Sequence, residues 1–254
     1  MVYTEIKSGI AYAEEQMSLE SSPILLEIIR KCSVYKKVKI LDFGCGFGGH
    51  SLSCSKINNC EVYGIDIDPN HIMIANKLKK KYKAKNVTFE LRDILSDPLP
   101  PEDQFNIIMF NDVIEHIPVE ALTKILEESR KHLTANGKIY FGYPPWEGPY
   151  AAHVYRAIKI PWIQYLPNKI TLKLIKNNNQ EIIGYIESDL IQAYNGLNRI
   201  THEKILRILR KVNLTPILRK SHCILNRLRP FKDINFGFFP FKHLITYEIL
   251  VLSK

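Results

Sequence analysis

Short, largely apolar runs alternate along the chain with longer amphipathic ones. The runs at 38–43, 61–65, 87–91, 105–110 and 137–142 have strand length but lack the in-out alternation of a sheet with one wet face. They predict strands covered on both sides, as in a mostly parallel sheet. Helical patterns lie between them: one from about Gly48, one opened by Asp68-Pro69, and one over 119–133 whose Leu122, Ile125, Leu126, Ser129 and Leu133 form a single stripe. Ser22 as cap and Pro23 at the first helical position predict an earlier helix ending near Arg30 and Lys31. Thr201 predicts the start of a late helix carrying Ile205, Leu206, Ile208, Leu209 and Val212. Two final strand runs, 215–225 and 244–252, follow one another with no helix between them, which predicts an antiparallel pair at one edge.

These elements sum to an α/β fold, a doubly wound and mostly parallel sheet of seven strands with an antiparallel C-terminal pair. The expected organisation is an N-terminal helical cap over 1–36, a sheet domain over 37–143 and 201–254, and a lid inserted after strand five over 144–200. In that lid the periodicity dissolves into Pro, Tyr, Trp and Asn.

Composition changes the picture in two ways. The 254 residues, 46% hydrophobic and 24% charged, suffice for one core with an insertion. The net charge of +9 is uneven: residues 1–147 hold 18 basic and 20 acidic side chains (−2), and 148–254 hold 17 and 6 (+11). Stretches 148–180 and 204–232 contain no acid at all, and the asymmetry favours an acidic substrate, an anionic membrane surface or nucleic acid over a cationic partner. Five cysteines, an odd number without a C-x-x-C pair, fit unpaired thiols in a reducing cytoplasm, with no structural zinc and no metal expected. No secretory segment is read at the N-terminus, and the apolar run 236–252 is too interrupted by Pro240, Lys242, His243 and Glu248 to cross a bilayer.

The chemistry begins at the loop after the first strand. Gly44, Gly46 and Gly49 can be spaced as G-x-G-x-x-G, and Asp66 follows Gly44 at the distance of an acid that binds ribose hydroxyls, so a nicotinamide dinucleotide is one reading. Asp42 points elsewhere: a carboxylate at the mouth of the loop would repel a pyrophosphate and attract a ligand carrying an ammonium and a sulfonium. The segment "DFGCGFG" at 42–48, D-x-G-x-G-x-G, resembles motif I of class I S-adenosylmethionine (SAM) dependent methyltransferases. "VYGIDIDPNHIMIA" (62–75), "VTFELRDI" (87–94), "FNIIMFNDVIEHI" (105–117) and "LTANGKIYFGYP" (133–144) resemble that family's following motifs in order, the E-H-I segment being common in small-molecule and quinone-type members. No (D/N)-P-P-Y follows strand four, a departure from the nucleobase N-methylating members.

The resemblance implies a Rossmann-like methyltransferase fold with SAM as cofactor. It places Asp42, Gly44, Cys45, Gly46 and Gly48 around the cofactor, Asp66 on its ribose, Ile67 against its adenine, Asp93 and Ile94 near the adenine amino group, and Asn111 and Asp112 at the end of strand four. His116, just past that strand, and His153, in the expected lid, are the candidate catalytic bases. His50 and His71 are read as structural or solvated helix residues. Tyr143, Trp146, Tyr150, Trp162 and Tyr194 are the candidate substrate contacts, and the aromatic and basic stretch 150–176 is a candidate for peripheral membrane contact. The expected activity is methyl transfer to an oxygen or carbon of a small acidic or lipophilic metabolite. An RNA methyltransferase, supported only by the basic half and by no RNA-binding module, and an inactive SAM-binding regulator stand as alternatives.

Overall fold

The computed structural model describes residues 2–17, 23–33, 37–155, 157–178, 190–231, 234 and 241–254. In chain order it places helices α1 (Val2–Gln16) and α2 (Pro23–Ser33), then β1 (Val38–Phe43), α3 (Gly49–Ser55), β2 (Cys60–Asp66), α4 (Pro69–Lys81), β3 (Val87–Leu91) and β4 (Phe105–Asn111). There follow α5 (Val119–Lys131), β5 (Leu133–Tyr143), α6 (Asn168–Asn177), α7 (Leu190–Gly196), α8 (His202–Lys211), β6 (Thr215–Cys223) and β7 (Ile245–Ser253). The seven strands form one sheet in the order β3-β2-β1-β4-β5-β7-β6, with the C-terminal strands antiparallel. This is the doubly wound order the apolar runs predict, and its first four strands are parallel: Phe43 pairs with Ile65 on one side and with Phe110 on the other. Burial on both faces explains the unbroken apolar sequence: Ile40, Leu41, Ile107, Ile108, Met109 and Phe110 are all inaccessible to water.

The chain divides into two compact units, Met1–Asn111 with Lys124–Tyr140 and Ser253–Lys254, and Asp112–Thr123 with Phe141–Leu252. The expected lid, 144–200, lies in the second unit, although 179–189 and Arg156 fall outside the described residues, as does the predicted cap Ser22. The segment 144–200 has its own core of Ala152, Val154, Ile158, Ile163, Ile175, Leu190 and Tyr194. In the first unit, α1 is a helix that the apolar pattern did not single out. Within it, a Cβ at Gly9 would meet the Phe47 ring at 2.9 Å, so the glycine serves close packing. Strand β5 starts at Leu133, four residues earlier than the pattern suggests, and Lys254 Nζ donates to the Leu133 carbonyl at 2.5 Å.

Helix starts follow the predicted caps. The Asp68 carboxylate accepts from Asn70 N at 2.8 Å ahead of Pro69, and Thr201 Oγ1 accepts from Lys204 N at 3.2 Å. Helix α8 then buries Ile205, Ile208 and Leu209 and turns Lys204, Arg207, Arg210 and Lys211 outward, so these four of the 17 late basic residues are the wet face of one packed helix. Removing that cap by Thr201→Ala should cost about 1 kcal/mol and lower Tm by roughly 2–4 °C in calorimetry, while Thr201→Asp should hold the wild-type value. An unchanged Tm in the alanine variant would mean that α8 does not depend on this hydrogen bond.

Candidate functional site

Strand β1 runs into a loop in which Gly44, Gly46 and Gly48 all take positive φ, conformations that a side chain resists. The two later glycines serve different ends. At Gly48 a Cβ would meet the Phe89 ring at 2.6 Å, so its absence permits packing on β3, whereas a Cβ at Gly46 would meet nothing within 4 Å. Gly46 therefore presents bare backbone to open space, as a cradle for a ligand must. The loop is pinned beneath by Cys45 N, which donates to the Ile65 carbonyl at 2.9 Å, and by Gly46 N, which donates to Asp66 Oδ2 at 2.8 Å.

Asp66 ends β2 and does more than the motif suggests. Its Oδ1 accepts from Asp68 N at 2.9 Å and stands 3.1 Å from His71 Nδ1. Burial works to raise this carboxyl, but the His71 hydrogen bond and charge together with the two backbone N–H groups hold it below the usual carboxylate range. Burial likewise works to lower His71, and the Asp66 hydrogen bond and charge outweigh it and raise the imidazole. His71, read from sequence as a bystander, is thus part of the site's frame. The signal was present in its position on the first turn of α4, five residues after Asp66.

Asp42 departs from expectation. It is 2% exposed, and its Oδ2 accepts from the Ser51 hydroxyl of α3, so the carboxylate lies inside the sheet and ties a helix to a strand instead of standing at the loop's mouth. Burial pushes it up to about 7, against the Ser51 hydrogen bond and with help from the Asp66 charge. Of the other positions implied for the cofactor, Ile67 is 73% exposed immediately after Asp66, a bare apolar side chain of the kind that receives an adenine face. Asp93 is exposed, but its oxygens accept from Leu95 N at 3.0 Å and Ser96 Oγ at 3.1 Å, closing its own turn. Ile94 and Cys45 are buried, which leaves only their backbone for a ligand. Asn111 Nδ2 donates to His50 Nε2 at 2.9 Å, and burial lowers His50 to about 4, so the ring is the neutral acceptor this bond needs.

In the second unit Asp112 opens with φ 54° and donates its N–H to the Gly142 carbonyl at 2.8 Å. The 3-10 turn Ile114–His116 follows, held by Asn198: its N donates to the Glu115 carbonyl at 2.8 Å, and its Nδ2 to the carbonyls of Ile114 and Ile117 at 2.6 Å each. Both candidate bases arrive here together, the His116 and His153 rings standing edge to face with centroids 5.1 Å apart. Burial lowers His153 to about 3, with the His116 charge adding to it. His116 keeps an exposed edge, but the protein around the rest of its ring still holds it below the ordinary range. Glu115, which sequence reading passed over within E-H-I, is 3% exposed and lies 3.5 Å from His153 Nε2.

The expected substrate contacts fare less well. Tyr143 is inaccessible, its hydroxyl donating to Glu248 at 3.3 Å inside the sheet, so it is a core residue. Tyr194 is 2% exposed in the core of 144–200, with its ring 6.3 Å from that of Trp146 and the Arg199 guanidinium over both. Trp162 donates its Nε1–H to the His243 carbonyl at 2.9 Å, and Ile163 beside it is buried. Tyr150 stacks on Tyr155 at 4.1 Å between centroids and under Arg227. Tyr143 belongs to the sheet core and Tyr194 to the largely aliphatic core of 144–200, so burial removes both from a ligand's reach.

The burial of Asp42 gives a test of this geometry. A carboxyl raised from 3.8 to about 7 in the folded state binds its proton more tightly there than when unfolded, so stability falls as pH rises between those values. The Tm advantage of Asp42→Asn over wild type should therefore grow from pH 4 to pH 7 and level off above. A difference independent of pH would place Asp42 in water.

A profile described as a methyltransferase domain matches residues 35–210. The chain is 27% identical over 129 residues to the phosphoethanolamine N-methyltransferase of Plasmodium falciparum, a match covering 50% of this chain and 47% of that protein. It is 28% identical over 120 residues to the sterol 24-C-methyltransferase of Candida albicans, covering 47% and 31%. The matched stretch thus spans less than half the length of either relative. Among solved structures, the magnesium protoporphyrin IX methyltransferase of Synechocystis PCC 6803 superposes with a TM-score of 0.56 at 15% identity, over 99% of this chain and 86% of that one, which shows the same fold. With the profile spanning both the glycine loop and the E-H-I turn, the chain belongs to the methyltransferase-domain family, within class I of the SAM-dependent methyltransferases.

Proposed function

We propose that this protein binds SAM on the Gly46 loop and catalyses transfer of its methyl group to an oxygen or carbon of a small acidic or lipophilic metabolite. The observation that carries the reading is the open backbone at Gly46 beside the anchored Asp66 and the exposed Ile67. Asp66 Oδ1 already serves Asp68 N and His71 Nδ1, whereas Oδ2 accepts only Gly46 N and keeps a second lone pair for a ribose hydroxyl. The cofactor, when bound, supplies a methyl carbon already activated by a positive sulfur. What remains for the protein is to hold the acceptor in line and to manage its proton, and His116 with His153, neutral at pH 7, is the pair assigned to that proton. The relatives named for phosphoethanolamine and sterol acceptors support a small or lipid-like substrate. Titration calorimetry with SAM, S-adenosylhomocysteine and NAD⁺ tests the assignment: the first two should bind at micromolar concentration and the third should not. Asp66→Ala should weaken SAM binding at least tenfold; equal affinity in that variant would overturn the cofactor site.

The acidic or lipophilic character of the acceptor rests on the surface of 155–173. Ile160, Tyr165, Leu166 and Ile170 are between 38% and 54% exposed, and Lys159, Lys169 and Lys173 are exposed among them. This is the arrangement of an interfacial segment with cations at the head-group level and with Leu166 and Ile170 as its apolar anchors. No described helix is long and apolar enough to cross a membrane, so the contact proposed is peripheral. Leu166→Ser with Ile170→Ser should reduce sedimentation with vesicles of phosphatidylcholine and phosphatidylglycerol by at least threefold at unchanged SAM affinity. Equal sedimentation would remove the membrane from this reading.

A further inference from the structure

The turn Ile114–His116 and the loop carrying His153 bring three ligating side chains together. One ligand atom each from Glu115, His116 and His153 lies within 4.8 Å of the other two. One edge of this triangle, His153 Nε2 to Glu115 Oε1, is 3.5 Å, and two ligands on a tetrahedral ion with bonds of about 2.1 Å stand roughly 3.4 Å apart. That edge is already at coordination length; small side-chain rotations would close the others.

Glu115 gives the second, independent observation. Its side chain is buried, and neither carboxylate oxygen has a hydrogen-bond partner among the described residues. A buried acid without donors is costly and needs a cation or a proton. The backbone around it is nevertheless firmly built: Asn198 makes three hydrogen bonds to the 114–117 turn, and His153 is held at φ 57° with its N donating to the Tyr150 carbonyl. The backbone of the turn is tied down, and the unpartnered Glu115 carboxylate lies 3.5 Å from His153 Nε2 and within 4.8 Å of a His116 ring nitrogen.

We propose that Glu115, His116 and His153 form a binding site for a divalent first-row transition ion of the Zn²⁺ kind, with a position left open toward a ligand oxygen. Two imidazoles and one carboxylate select such ions over Mg²⁺ and Ca²⁺, which prefer all-oxygen shells. Three protein ligands leave the fourth tetrahedral position free, the condition for a metal that meets substrate. The site departs from the expectation of no metal, since its ligands come from two segments well separated in sequence and carry no spacing signature. Ion binding does not depend on SAM but would replace the proton role given above to His116 and His153, since a coordinating imidazole nitrogen has no lone pair left for a proton; use of the open position for an acceptor hydroxyl or carboxylate rests on the methyl-transfer reading.

The test is a titration of the full chain, stripped with chelator, with Co²⁺. One ion per chain should bind and give visible d-d bands, Zn²⁺ should bleach them, and millimolar Mg²⁺ should not. His153→Ala and Glu115→Gln should each weaken Co²⁺ at least tenfold, with SAM affinity measured on the same samples to report the fold. Absence of bands in the wild type, bands unchanged in both variants, or the near-ultraviolet charge transfer of thiolate ligation from a cysteine would overturn the site. A chain that takes Co²⁺ but not SAM would break the functional reading alone, and the reverse would break the metal site alone.

Discussion

A single carboxylate, Asp66, holds the cofactor side of this protein in shape. Three stretches meet on it: the glycine loop through Gly46 N, the start of α4 through Asp68 N, and His71 one turn into that helix. A loop with three left-handed glycines has backbone N–H groups that no helix or strand can satisfy, and each must find an acceptor or face water. Asp66 answers for one of them from within hydrogen-bond range of the position where a ligand would lie. On the proposed reading, structure and recognition share one group, and its lowered pKa keeps it charged for both.

Asp42 complements it from inside. The acid that opens the glycine motif joins β1 to α3 through Ser51 and is shielded from any ligand, at the cost of a carboxyl pushed toward neutrality. Each acid therefore has a part other than the one its charge suggested. The supposed charge filter at the loop's mouth is a strut, and the supposed ribose ligand is also the anchor of the loop.

The second unit repeats the pattern with different chemistry. Asn198, from the segment after α7, supplies the polar partners that the 114–117 turn cannot find within itself, and this fixes where Glu115 and His116 point. The aromatic residues of 144–200 divide by depth. Tyr194 fills the local core, while Tyr165 and neighbouring Leu166 and Ile170 remain outside among lysines. An insertion of this size has to build its own core before it can present anything, and its most apolar residues go to the former task.

The strand runs, the caps at Asp68 and Thr201 and the glycine loop were legible in the sequence, because each follows from local rules: apolar runs for strands buried on both faces, side-chain oxygens for helix starts, missing Cβ atoms for tight backbone. The motif order also carried the family. Tertiary structure alone decided which way side chains face once the elements are packed. It buried Asp42, Tyr143 and Ile163, packed Gly9 against the Phe47 ring, joined His71 to Asp66, and set Glu115 beside His153. These outcomes depend on contacts between residues far apart in the chain, and their energies lie in burial and hydrogen bonding that no local pattern of residue types encodes.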